Sequence, residues 1–297
     1  MKTLIRHAFL TLYALLAIPL NAIQGIEERA ICKGCEIYEW FELTQEPVES
    51  LKTGLLSPAF CPASPSTSVW TQITPFLIPS NHAAKIKLDN ILSNVHAFYD
   101  LQSMEAAGFD KALPQHHTQI IVTRHPELKG YVIKAYLDVQ DYHSGKPEYY
   151  FWIKRILGAE LIRQAIASHG YGHLLKVPHK WIYQLPDNGS NASNHALKKY
   201  FILVEEDMDL YDDAINVAFW GSEWVTNEYL EALYTIVTEL GLFDCTKPAN
   251  CPISKDGRIA FVDTQSFHAK RVKYQKLTPY LSPTMQAYWL ELIAGNK

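Results

Sequence analysis

The fold turns on residues 118–137, Thr118-Gln119-Ile120-Ile121-Val122-Thr123-Arg124-His125-Pro126-Glu127-Leu128-Lys129-Gly130-Tyr131-Val132-Ile133-Lys134-Ala135-Tyr136-Leu137. Residues 118–123 and 131–137 are both β-rich, and the segment between them, with Pro126 and Gly130, supplies turn chemistry, so the stretch reads as a hairpin. Strand alternation turns Val132, Lys134 and Tyr136 to one face. An ammonium among such neighbours either meets an anion or carries its charge to water along its own stem.

Downstream, residues 147–168 carry Trp152, Ile156, Leu157, Leu161, Ile162 and Ile166 and stop at Gly170, which predicts a helix. Lys180-Trp181-Ile182-Tyr183-Gln184-Leu185 and Tyr200-Phe201-Ile202-Leu203-Val204 read as two more strands, joined across a polar stretch that contains Asn188-Gly189. After the acidic run Glu205-Glu206-Asp207 the pattern turns helical, most clearly over 227–240. Upstream, an apolar stripe of Ile86, Leu88, Ile91, Leu92, Val95 and Phe98 predicts one helix over 83–104, and the Pro- and Ser-rich residues 58–79 read as an irregular wrap. The expected class is α+β.

The N-terminus places Lys2 and Arg6 ahead of about ten apolar residues that end at Pro19, followed by small residues at Ala22 and Gly25. That order predicts an export signal over residues 1–25, too short to span a bilayer, and a periplasmic or secreted mature chain with no later membrane span. Residues 26–107 then form an N-terminal extension and 108–297 the main domain. A formal net charge of −4 argues against nucleic acid as a partner. In an oxidising compartment the five cysteines can pair, which leaves one over. Cys32 and Cys35 read as a local disulfide or idle thiols, and Cys245 with Cys251 as either a short-loop disulfide or two buried thiols. His169 and His173 have a metal-like spacing broken by Gly170 and Gly172. Asn188 and Asn191 open glycosylation sequons.

Two hairpins separated by a helix, then a helical segment, then Lys247-Pro248-Ala249-Asn250 and Ile259-Ala260-Phe261-Val262-Asp263, form an order that resembles the protein-kinase-like fold. Residues 131–135 look like that family's Val-Ala-Ile-Lys strand. The resemblance implies a β-rich N-lobe, an abbreviated helical C-lobe, ATP and magnesium as cofactors, and an unknown protein or small-molecule acceptor. Residue by residue it puts Lys134 on the nucleotide phosphates, Glu160 on the following helix as the partner of Lys134, with Glu148 competing, and Asn250 and Asp263 on magnesium. Residues 244–250 resemble Asp-x-Lys-Pro-x-Asn, which makes Asp244 the candidate catalytic base.

The departures are equally plain. Cys245 stands where the family has its catalytic Asp, Asp244 comes one residue early, and Asp263-Thr264-Gln265 replaces Asp-Phe-Gly. No Gly-x-Gly-x-x-Gly precedes the first hairpin, and about 34 residues follow Asp263, too few for the family's lower half. Three functions stay open on this reading: an ATP- and magnesium-dependent phosphotransferase, a catalytically inactive kinase-like binding protein, and a secreted interaction protein of unrelated α+β fold.

Overall fold

The computed structural model describes residues 66–110, 120–140, 146–187 and 198–295. The expected export signal, the Cys32–Cys35 pair, residues 26–65 of the 26–107 extension and both sequons lie outside these residues. Strands β1 (Ile121–Thr123), β2 (Tyr131–Ala135), β4 (Lys180–Gln184) and β5 (Phe201–Glu206) form an antiparallel sheet in the order β1-β2-β5-β4. Both predicted hairpins are present: Val122 faces Lys134 across the first pair and Lys180 faces Glu205 across the second. Strand β2 sits beside β5, with Val132 opposite Glu205 and Lys134 opposite Leu203. The chain is α+β.

Alternation gives the sheet two different faces. Ile133, Ala135, Tyr183, Ile202 and Val204 point into a core closed by Leu88, Leu92, Phe98 and Met104 from helices α2 (Ala83–Leu92) and α3 (Leu101–Ala106) and the turn between them. Part of the N-terminal extension therefore packs into the same core as the strands. The opposite face carries Lys134, Lys180 and Glu205.

Two upstream expectations are corrected. The helix expected over 83–104 is broken at residues 93–100, because the backbone N–H groups of Asp138 and Val139 take the carbonyls of Phe98 and Tyr99 at 3.0 and 3.1 Å. Asp100 then caps α3 by accepting from the Ser103 N–H at 2.7 Å. The wrap expected over 58–79 contains, in its described part, helix α1 (Thr67–Ile73) capped by Ser66, and Leu77 bridges to Ile182 on β4.

Helix α4 (Glu148–His169) joins the two hairpins and lies on β4 and β5. It ends where expected, at Gly170 in the left-handed conformation with φ 72°. Trp152, fully buried, donates its indole N–H to the Phe201 carbonyl at 3.1 Å. Burial of such a side chain is worth about 3 kcal/mol, so the pair holds α4 firmly on β5. Strand β3 (Leu175–Lys176) pairs in parallel with β6 (Ile259–Ala260). Helices α5 (Asp213–Trp220), α6 (Asn227–Glu239) and α7 (Pro283–Ala294) complete the described chain.

Candidate functional site

The segment from Asn250 to Asp263 folds back on itself around Lys255-Asp256-Gly257. Ser254 N–H bonds the Arg258 carbonyl at 2.9 Å, Ala260 N–H bonds Pro252 at 2.8 Å, and Val262 N–H bonds Asn250 at 3.1 Å. Gly257, at φ 83°, takes a turn position that L side chains avoid. The ladder sets Asn250 beside Val262, so Asn250 and Asp263 lie at the same end of it.

That end meets the charged face of the sheet. The Lys134 ammonium donates to the Val262 carbonyl at 3.1 Å, and Lys180 donates to the same carbonyl at 3.0 Å. Lys134 and Lys180 also lie 2.8 and 2.9 Å from the two carboxylate oxygens of Glu205. Arg155, from the face of α4 turned to the sheet, donates to Asp263 at 2.7 Å. Side-chain exposure is 9% for Lys134, 0% for Lys180, 5% for Glu205 and 5% for Arg155, against 29% for Asp263. Asp263 is thus the member of the group that opens to solvent.

Burial opposes ionisation of Glu205, but Lys134 and Lys180 overcome it and hold its carboxyl below the usual range. Asp263 is lowered in the same way: burial works against it, and Arg155, then Lys134 and Lys180, outweigh that. Both carboxylates are therefore anions at neutral pH. Burial pulls Lys180 down to about 8 from its ordinary 10.5, with Glu205 pulling back. Three cations face two anions, which leaves an excess of one positive charge beside the half-buried Asp263.

A pH dependence follows from Lys180. Its pKa is lower in the folded chain than in the unfolded one, so between pH about 8 and 10.5 the unfolded state binds more protons and stability rises with pH. Below pH 8 the buried charge costs its full amount. In urea melts at pH 8 and pH 10, wild type should gain stability relative to Lys180→Met as pH rises. Parallel pH profiles for the two proteins would show that Lys180 is not buried as a cation.

The sequence-predicted residues fare differently. Lys134, Asn250 and Asp263 are brought together. Glu160 is not part of the group: it pairs with Arg163 one turn along α4, and the acid that meets Lys134 is Glu205. Glu148 is buried at the start of α4, where it accepts from the Tyr200 N–H at 2.9 Å and burial raises its pKa. Asp244 lies beside the site, 3.2 Å from Lys247, and its backbone carbonyl accepts from the Asn250 side-chain amide at 3.0 Å. Cys245 and Cys251 are free buried thiols rather than a disulfide; Cys245 donates to the Asp263 carbonyl at 3.2 Å and Cys251 to Lys247 at 3.1 Å. Burial raises both thiol pKa values, so neither is a ready nucleophile. His169 and His173 pair separately with Glu239 and Glu228 instead of converging on one point.

Glu205, Lys180 and Arg155 were missed by sequence reasoning. The two strand residues had a visible signal: Lys180 is in phase with Ile182, and Glu205 with Leu203, at inward strand positions where a charge needs a partner.

Among the described residues no group of three His, Cys, Asp or Glu side chains could hold a metal ion, and no helix is long and apolar enough to cross a membrane. The oxygen donors at the end of the ladder, the Asp263 carboxylate and the Asn250 amide oxygen, are of the kind magnesium takes together with phosphate oxygens and water. Arg155 donates to one Asp263 oxygen, and the Gln265 backbone N–H also supports this carboxylate. By donor chemistry, two such oxygens would suit a magnesium shared with a phosphate rather than a dedicated all-protein cage. No model of a known protein family matches this chain, and no curated protein matches it.

Proposed function

We propose that the chain is an exported kinase-like protein that binds ATP with magnesium between a β-rich lobe and an abbreviated helical one. The observation that carries this reading is the hydrogen bond from Lys134 to the Val262 carbonyl, which joins the strand lysine to the residue before Asp263 across 128 positions. Lys134 would hold phosphate oxygens while Glu205 keeps it charged and oriented. Asn250 and Asp263 would hold magnesium, which would neutralise phosphate charge when bound. The positive excess at the site favours such an anionic ligand.

Transfer of phosphate to an acceptor would depend on Asp244, whose carboxylate would accept the acceptor hydroxyl's proton. A second reading, a kinase-like binding protein without transfer, is favoured by Cys245 in the family's base position and by Asp244 spending its carboxylate on Lys247. Loss of a general base costs about 10²- to 10⁴-fold in rate, so the two readings differ in turnover and agree in binding.

Thermal melts with millimolar ATP and Mg²⁺ test the shared part. Wild type should melt several degrees higher with ligand, as binding at about 100 times Kd adds roughly 2.7 kcal/mol. Asp263→Asn should remove the shift and Asp244→Asn should keep it. ATP turnover in wild type but not in Asp244→Asn selects the phosphotransferase; equal background in both selects the binding protein. No wild-type shift ends the nucleotide reading.

A further inference from the structure

The loop that carries Asp244 is flanked by a group of like charges that the site described above does not use. After Asp263 the chain runs back along residues 240–243: His268 N–H bonds Leu240 at 2.7 Å, Ala269 N–H bonds Gly241 at 2.9 Å, and Lys273 N–H bonds Phe243 at 3.0 Å. Thr246 adds a side-chain bond to the Lys273 carbonyl at 2.7 Å, and the Lys273 ammonium stands 3.8 Å over the Phe243 ring. These bonds set the backbone of residues 268–273 beside residues 240–243, next to the loop that carries Asp244 and Lys247; Lys270, Arg271 and Lys276 lie within three positions of Lys273 in the chain.

Lys276 lies close enough to Lys247 and Lys273 for their charges to act on it. Like charges repel, and desolvation first, then the charges of Lys247 and Lys273, lower the Lys276 pKa, with Asp244 opposing. Lys270, Arg271 and Lys276 are exposed, and among the described residues none of them forms an ion pair with a carboxylate. Asp244, already paired with Lys247, is the one acid shown to act on the group. A chain of net charge −4 thus gathers five cations in and next to one loop, and among the described residues only Lys247 of the five has a carboxylate partner.

We infer that this surface docks an acidic polypeptide segment, rich in Asp and Glu, and presents its hydroxyl side chain to Asp244. This deepens the proposed function by naming the class of acceptor, and it rests on that reading for the role of Asp244. Charge complementarity selects the partner: a short segment of several carboxylates relieves the lysine repulsion over the few residues that the patch covers. Nucleic acid is the poorer match. Its long phosphate run meets an overall negative chain, and Phe243, the ring at the patch, is covered by Lys273 rather than open for base stacking.

The test is fluorescence anisotropy of a labelled peptide of about twelve residues, Asp and Glu around one Ser, added to the full chain at low salt. The acidic peptide should bind, a Gln and Asn version should not, and binding should fall steeply with salt. Lys270→Ala/Arg271→Ala/Lys276→Ala should weaken binding by about tenfold and should leave the ATP-dependent melting shift as in wild type. Equal binding by wild type and the triple variant, or no binding by a wild type that still shows the ATP shift, overturns the inference and leaves the nucleotide reading standing. Patch-dependent peptide binding without any ATP shift keeps the docking surface and removes the nucleotide reading. Tighter patch-dependent binding of a single-stranded DNA oligonucleotide than of the acidic peptide overturns the assignment to polypeptide.

Discussion

Glu205→Gln should destabilise the protein by about 3–5 kcal/mol, the largest effect expected of any near-isosteric change in this chain. The substitution keeps volume and hydrogen-bonding shape but removes the one negative charge lying between two buried ammonium groups, Lys134 and Lys180. An amide can satisfy one lysine N–H through its oxygen, and it turns its own N–H₂ toward the other. Two buried cations about one neutral group then repel without compensation, apart from what they gain at the shared Val262 carbonyl. At about 2–4 °C per kcal/mol for a domain of this size, the melting point should fall by roughly 10 °C. Lys180→Met in the Glu205→Gln background should recover part of the loss, because it removes one of the stranded charges and keeps an apolar stem of similar length. A coupling energy of about 1–3 kcal/mol between the two positions is the expected reading of the double-mutant cycle. A loss below about 1 kcal/mol for Glu205→Gln would mean that water reaches the group and that the three charges are not held as a unit.

Gly158→Ala should come next, with a loss of about 3 kcal/mol despite placing a better helix former in the middle of α4. A methyl group at residue 158 would lie 1.8 Å from the Thr264 carbonyl oxygen and 3.0 Å from the Phe267 ring. The first contact is with backbone, which cannot swing aside as a long side chain can. Either α4 or the segment after Asp263 must move. Both hold the site: Arg155, one turn before Gly158, bonds Asp263, and the Thr264 hydroxyl donates to the Arg155 carbonyl at 2.5 Å. The same substitution should therefore reduce any ATP-dependent melting shift along with stability. Gly172→Ala is the control, since nothing lies within 4 Å of a methyl there, and its effect should stay within about 0.5 kcal/mol. Equal effects at the two glycines would show that α4 does not pack on Thr264 as described.

Much of this arrangement was legible from residue order. The two hairpins, the limits of α4 at Pro147 and Gly170, the helix from Asn227 and the turn at Lys255-Asp256-Gly257 all rest on local signals: alternation, helical period, a glycine with positive φ. The side to which Lys134 points followed from the same alternation. Hidden were the break in the helix expected over 83–104 and the helix within the Pro- and Ser-rich stretch. The break rests on backbone hydrogen bonds to Asp138 and Val139, some forty residues away, and the short helix is held by its Ser66 cap and the bridge from Leu77 to Ile182.

The partner of Lys134 marks the division most clearly. Residue order shows that a lysine on this face of a strand either meets an anion or reaches water, and Glu160, Glu148 and Glu205 are all chemically able to supply the anion. Choosing among them requires knowing that β5 pairs with β2, which puts Glu205 diagonal to Lys134 and opposite Lys180, while the helical turn gives Glu160 to Arg163. Short-range periodicity sets which way a side chain faces, because it depends on backbone geometry within a few residues. The identity of what it faces depends on contacts closed across 71 residues to Glu205 and 128 to Val262, and those exist only once strands, helix and ladder pack together.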